Sequence, residues 1–372
     1  MHKYLNIPLH ETSSYDKLVF NQFKIQMIWG DDIMMSKEMA MKFEGISAMV
    51  GNTPLLEISL RYKGEDRKVY AKAEYYNYSG SIKDRIAYHI LKTAYENGDI
   101  HEGDMIIEAT SGNTGIAFAA IGACLGNPVT IFMPDWMSQE RVNMIKSLGA
   151  AIRPVSRAEG GFTGSIALAD RMGEQEGTFL PHQFSNPSNL DAHYRTTGQE
   201  ILTQLEKLGK VPEGIVAGVG TGGTIMGIRK AVKELYPNCK AFPLDPTNSP
   251  TLFSGGKIVG PHRIAGIGDE FVPELVKLDQ LDEIIMVHDG DAINMARKLA
   301  RVFGCGVGIS AGANFLGALK AQDLIGNKDA VVVTVFADCN KKYLSTDLMT
   351  EQPLQGDHMT PDVELLGLLS IR

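Results

Sequence analysis

The sequence predicts an α/β protein whose strands run mostly parallel. Apolar runs such as Met105-Ile106-Ile107 and Val331-Val332-Val333 lack polar alternation, as strands buried on both faces do. Helical patterns separate these runs, which parallel pairing requires. Several strand ends lead directly into glycine-rich turns that open a helix, the place where open α/β sheets bind ligands. A chain of 372 residues has room for two domains.

Residues 1–42 lack sustained periodicity and are expected to be an appendage, partly disordered or docked on a partner subunit. From Gly51-Asn52-Thr53-Pro54 onward the pattern is regular: a short strand, a second over Lys68–Glu74, then a helix beginning near Arg85. Met105–Ala109, Val129–Met133, Ala151–Val155 and Thr178–Leu180 read as strands of a first block, with helices between them. One of these, after Ser138, has only an approximate capping-box spacing. In a second block a long helix over 192–208 precedes the strand Gly214–Gly218. Further strands are expected at Lys240–Leu244, Ile284–Val287 and Val331–Val335, and residues beyond Leu348 read as a loosely held tail.

A net charge of -8 argues against nucleic acid or an anionic membrane as the main partner. Cys124, Cys239, Cys305 and Cys339 show no metal-ligand spacing, and the first three are expected to be buried free thiols in a reducing compartment. No apolar stretch reaches membrane-spanning length and no signal peptide is evident, so a cytoplasmic protein is expected.

Chemistry concentrates in four places. Lys83 ends a hydroxyl-rich, glycine-broken loop and begins a helix, whose N-terminal field disfavours its ammonium form. A neutral amine can attack an aldehyde; taken alone, such a lysine is an ordinary first-turn residue. Thr110-Ser111-Gly112-Asn113-Thr114-Gly115 offers hydroxyls and backbone N–H groups suited to a carboxylate, or is a capped turn. Gly218-Val219-Gly220-Thr221-Gly222-Gly223-Thr224 suits a phosphate. Its spacing is not that of a dinucleotide fingerprint, although Asp245 could mimic the ribose-binding acid. Ser310, before another helix, is either an N-cap or a weak partner for a pyridine nitrogen.

Together with Gly51-Asn52-Thr53-Pro54-Leu55, Gly80–Arg85, Gln183-Phe184-Ser185-Asn186-Pro187, Gly266-Ile267-Gly268 and Tyr343-Leu344-Ser345-Thr346, these motifs resemble the cysteine synthase and cystathionine β-synthase family of fold type II pyridoxal-phosphate enzymes, over about residues 46–346. The resemblance implies two open twisted, mostly parallel sheets flanked by helices. It also implies a large cofactor domain (43–84 and 191–346), a smaller mobile domain (85–190) closing over the substrate, and a tail (347–372). By the same likeness Lys83 would bind pyridoxal 5'-phosphate covalently and carry the α proton, Asn113 would bond its ring oxygen, and Gly220, Thr221, Gly222, Gly223 and Thr224 would hold its phosphate. Ser310 would face the ring nitrogen, and Thr110, Ser111, Thr114 and Gln183 would bind the substrate carboxylate. A homodimer is implied by analogy.

Two positions depart from the family pattern. Tyr78 stands where a proline is usual, and Asp269 follows Gly268 where cysteine synthases carry small residues. A carboxyl at Asp269 could protonate a departing sulfide or activate an incoming nucleophile; equally, it could be a solvated loop acid. The reading is therefore β-replacement or β-elimination on a serine- or cysteine-type amino acid. Cysteine synthesis from O-acetylserine and sulfide stands first. Its alternative is a cysteine lyase or lanthionine synthase that releases hydrogen sulfide with Asp269 as acid–base. A degenerate binding or regulatory subunit is the rival from another class.

Overall fold

Strands without polar alternation need cover on both faces, and helices supply it here. The structure is a computed structural model that describes residues 35–372. β1 (Leu55–Tyr62) and β2 (Glu65–Ala73) form an antiparallel hairpin. Beside it β7 (Gly214–Gly218), β8 (Lys240–Pro246), β9 (Ile285–Val287) and β10 (Val332–Phe336) run parallel. β11 (Val363–Ile371) pairs antiparallel with β1, giving the seven-stranded order β11-β1-β2-β10-β7-β8-β9. The smaller sheet is wholly parallel, in the order β5-β4-β3-β6, from β3 (Met105–Ala109), β4 (Val129–Pro134), β5 (Ala151–Val155) and β6 (Thr178–Phe179). This is the α/β class with two mostly parallel sheets that the sequence predicts.

Three expectations need correction. The loose appendage to residue 42 lies outside the described residues as far as residue 34, but α1 (Lys37–Ser47) is ordered, with the Ser36 hydroxyl accepting from Met39 N at 3.1 Å. Met39, Phe43 and Ile46 recur at helical spacing on its buried face, and Phe43 packs edge-on against Tyr88 and Tyr95. The periodicity straddles the expected boundary. Second, the tail is not loose. Lys298 Nζ donates to Thr360 O at 3.1 Å, the Asp291 carboxylate accepts from Met359 N and Thr360 N, and β11 then completes the large sheet. The run Val363–Ile371 has no period of two, and its partner lies some three hundred residues upstream, so nothing local announces it. Third, Cys124 is exposed rather than buried.

Two helix details also differ. Ser138 makes no capping hydrogen bond to α4 (Gln139–Ser147); its hydroxyl donates to Lys342 O at 3.2 Å, across to the large-sheet side. The helix expected from residue 192 begins at Pro187. Beyond α5 (Gly161–Gly173), α6 (Pro187–Ala192) and α7 (Gln199–Lys207) flank a π-helical turn, His193–Gly198. That turn packs closely on α8 (Gly223–Leu235), where a Cβ on Gly198 would meet Ala231 at 2.5 Å. α9 (Asp289–Phe303) covers α10 (Ile309–Ile325), which is buried along most of its length against the large sheet. Among the described residues no helix is long and apolar enough to cross a membrane.

α2 (Lys83–Asn97) is anchored by a buried charge network. Arg85 Nε donates to Glu74 Oε2 at 2.6 Å and Nη1 to Glu200 Oε1 at 2.7 Å, while Nη2 reaches the other oxygen of each, both at 2.8 Å, and Thr53. Burial alone would raise both carboxyls, but Arg85 and Lys72 hold Glu74 below its usual range and Glu200 at about 2. The strand β2, the Gly51–Pro54 turn and α7 are thus tied to the first turn of α2. Replacing Arg85 with Met leaves Glu74 buried without its partner, and we expect a loss of about 3–5 kcal/mol, read as a lowered urea midpoint.

Candidate active site

Four loops that open helices meet at the carboxyl ends of the strands, around a cavity of about 860 Å³ that includes space open to solvent. Every predicted site residue lines it except Gly223, which begins α8 and packs its Cα against Asn189.

Lys83 is the first residue of α2, and its side chain reaches this cavity from the large-sheet side. Burial pushes its amine well down and Lys342 adds to this, while Asp269 and Asp338 oppose it. Burial is therefore the main cause, in place of the helix field invoked from sequence. Asp84 shapes the preceding loop by accepting from Ser79 N at 2.8 Å and from the Ser79 hydroxyl.

After β3, Thr110 Oγ1 accepts from Gly112 N at 3.1 Å, and α3 (Asn113–Leu125) begins. Gly112 has φ 155°, and a Cβ there would stand 2.2 Å from Arg141 Cδ. Glycine lets that arginine pass directly under the loop. Thr114 Oγ1 donates to Gln183 Oε1 at 2.7 Å, and Gln183 Nε2 donates to Ala109 O at 2.7 Å, so the four proposed carboxylate-binding residues form one edge of the cavity. Glu108 sits behind them, fully enclosed, accepting from Ala109 N and Gln183 N; burial pushes its carboxyl up to about 8.

The turn after β7 is shaped for close approach. A Cβ on Gly220 would lie 2.4 Å from Gly266 O, and one on Gly222, where φ is 86°, would lie 2.4 Å from Val276 Cγ2. Thr221 Oγ1 accepts from Asn189 Nδ2 at 2.9 Å, and Thr224 meets His193 Nε2 at 3.2 Å. Ser310 does not cap α10. Gly308 is the N-cap, and Ser310 lies in the first turn, buried at the cavity wall.

Asp269 faces inward. Its loop rests on the glycine turn through Gly268 N to Val219 O at 2.9 Å, and His262 Nε2 holds Gly268 O at 3.0 Å. Burial pushes the Asp269 carboxyl up to about 6, against the pull of Lys83 and with help from Glu270. Glu270 is exposed and accepts from Thr163 Oγ1 at 3.3 Å, across to the small-sheet side. Phe162, Phe184 and Phe271 pack edge-to-face beside the cavity, with ring centroids 5.8 and 5.1 Å apart in sequence.

Four residues at the site were given no role from the sequence. Asn314 accepts from Gly218 N at 2.8 Å and donates to Val335 O at 2.7 Å, aligning two strand ends. Arg141 lines the cavity, with its guanidinium 4.6 Å above the Tyr343 ring; Tyr343 in turn donates to Asp338 at 2.7 Å. Tyr343 was visible as part of a motif. Nothing local marks the others, because their partners come from distant segments.

A phosphorylated pyridine aldehyde fits these residues. A glycine turn at a helix N-terminus suits its phosphate, Lys83 offers an amine disfavoured as a cation, and Asn113 Oδ1 is enclosed without a partner. The family described as pyridoxal-phosphate dependent enzymes matches residues 46–338, and the chain belongs to it. Within that class it is similar to cysteine synthases. That of Staphylococcus aureus is 40% identical over 307 residues, 82% of this chain and 96% of that protein. A crystal structure of a hydrogen sulfide-producing enzyme from Fusobacterium nucleatum is 54% identical, with a TM-score of 0.86, covering 89% of this chain and 99% of that one. A cysteine synthase structure from Entamoeba histolytica is 34% identical, with a TM-score of 0.75, covering 85% of this chain and 93% of that one. Pyridoxal phosphate is thus the cofactor, and β-replacement or β-elimination on an amino acid is the chemistry. We expect borohydride to fix the cofactor on Lys83, as mass spectrometry of the digested protein would show, and Lys83→Ala to abolish the label.

Proposed function

We propose that this enzyme takes cysteine as its first substrate and releases hydrogen sulfide. The observation that carries this reading is the Asp269 carboxyl, which lines the cavity with Lys83 and is raised to about 6 by burial. A thiolate leaves more readily when an acid protonates it, whereas acetate needs no proton. The F. nucleatum enzyme has also been crystallised as an aspartate-to-asparagine mutant in complex with an α-aminoacrylate intermediate.

Pyridoxal phosphate supplies an aldehyde for the substrate amine and an electron sink for the α carbon. In our reading Lys83 Nζ, whose ammonium form burial disfavours, removes the α proton. Thr110, Ser111, Thr114 and Gln183 line one edge of the cavity and would hold the substrate carboxylate, the Gly220–Thr224 turn would hold the cofactor phosphate, and Ser310 would meet the ring nitrogen. Asp269 delivers a proton to the leaving sulfur. The lobe over 85–190 closes on the substrate, and the surface contacts Thr163–Glu270 and Glu140–Ser345, among those that join it to the rest, would part on opening. Water or a second thiol then completes the cycle.

Cysteine synthesis from O-acetylserine and sulfide uses the same lysine and carboxylate edge, and the names of the curated relatives favour it. Sulfide release from cysteine, measured beside cysteine formation from O-acetylserine, separates the two. Asp269→Asn is expected to slow sulfide release about 10²- to 10⁴-fold, the usual worth of a general acid, while sparing acetate release. Since the acid form is needed, kcat/KM for cysteine should fall as pH rises through about 6, and the variant should lose that limb. Equal loss on both substrates would sink the proposal.

We also place the enzyme in the cytoplasm, as a homodimer. The outer edge of β11 has no strand partner among the described residues, and Leu366, Leu368 and Leu369 are exposed on it. Light scattering should give twice the chain mass, and Leu368→Lys should reduce it to that of a single chain.

A further inference from the structure

Asp338 has no task in the chemistry above, yet its surroundings are specific. It follows β10 and is fully buried. Its backbone bridges to Ser81, in the lysine loop, and accepts from Gly308 N at 3.0 Å, at the start of α10. Its Oδ2 accepts from Asn113 Nδ2 at 2.8 Å and from the Tyr343 hydroxyl at 2.7 Å. Its Oδ1 is enclosed without a hydrogen-bond partner, against Gly308, where a Cβ would stand 2.1 Å away.

An ionised carboxylate only accepts hydrogen bonds, so it selects the NH₂ edge of a neighbouring amide. Asn113 is held in that way, with one N–H on Asp338 and its carbonyl oxygen enclosed and unpaired. The second N–H keeps a fixed direction. Tyr343 braces the carboxylate, and Arg141 stacked on the phenol ring braces Tyr343 from the small-sheet side. Three side chains, Asp338 and Tyr343 from one segment and Arg141 from the small-sheet side, therefore converge on the orientation of one amide.

We propose that Asp338 is a positioning residue that sets the amide orientation of Asn113, so that its free N–H is donated to the ring oxygen of the cofactor. This deepens the reading above and rests on it. A carboxylate that merely tied strand to helix would leave the cofactor's absorption unchanged, so the cofactor itself is the probe. Visible absorbance and circular dichroism of the bound cofactor are compared for the wild-type holoenzyme, Asp338→Asn and Tyr343→Phe, with borohydride fixation on Lys83 as a parallel check.

An asparagine at 338 can donate as well as accept, so it no longer selects one amide edge. Asp338→Asn should still be fixed at Lys83, with its ratio of absorption bands changed about 2- to 12-fold, as loss of one net hydrogen bond would do. Tyr343→Phe keeps the ring but loses the hydroxyl, and should move the ratio the same way by less. Spectra superimposable on wild type in both variants overturn the proposal. If Asp338→Asn does not fold, Tyr343→Phe decides alone, and a wild-type spectrum there overturns it. Absence of any fixed cofactor in the wild type overturns the cofactor reading, and this proposal with it.

Discussion

The clamp of Arg85 on Glu74 and Glu200 is the constraint on which the site depends. Three charges buried together lose their hydration, and only good fork geometry with filled hydrogen bonds offsets that. Here the guanidinium meets both carboxylates through both of their oxygens and also reaches Thr53. Because Arg85 lies two residues after Lys83, on the same first turn of α2, the clamp places the lysine relative to β2, to the Gly51–Pro54 turn and to α7. Moving the guanidinium would leave buried charge unpaired, so the lysine's position is defended by a much larger penalty than its own contacts could impose.

With the helix start held, burial governs protonation. It disfavours charge on both Lys83 and Asp269, lowering one group and raising the other, while their mutual attraction works the opposite way. Burial thus favours the amine on one group and the carboxylic acid on the other within a single cavity. Burial also gives the glycine turn after β7 its value, because N–H groups at a helix end are strongest donors where water is scarce.

Much of the site was legible because its parts are contiguous in the chain. A strand end, a glycine turn and a helix start occupy a few consecutive residues, so Thr110–Gly115 and Gly220–Thr224 announce themselves. Asp269 was visible as a departure but ambiguous in direction, since the way a loop carboxyl points depends on what packs behind it. Here Gly268 is held between Val219 and His262. Asp338, Arg141 and Asn314 gave no signal, because each matters through a partner roughly one to two hundred residues away. The same reason hid β11, whose pairing with β1 joins the two ends of the described chain.

The amino-acid order by itself determined the α/β class, most strand positions and the loops that converge on the cavity, since these follow from local periodicity, turn chemistry and helix starts. Tertiary structure decided what burial and distant pairing control. It lowered the Lys83 amine, turned Asp269 inward, bound the C-terminal strand to the sheet and brought Asp338 against Asn113. Free energies of desolvation and of hydrogen bonds across the fold depend on neighbours that only the packed chain supplies.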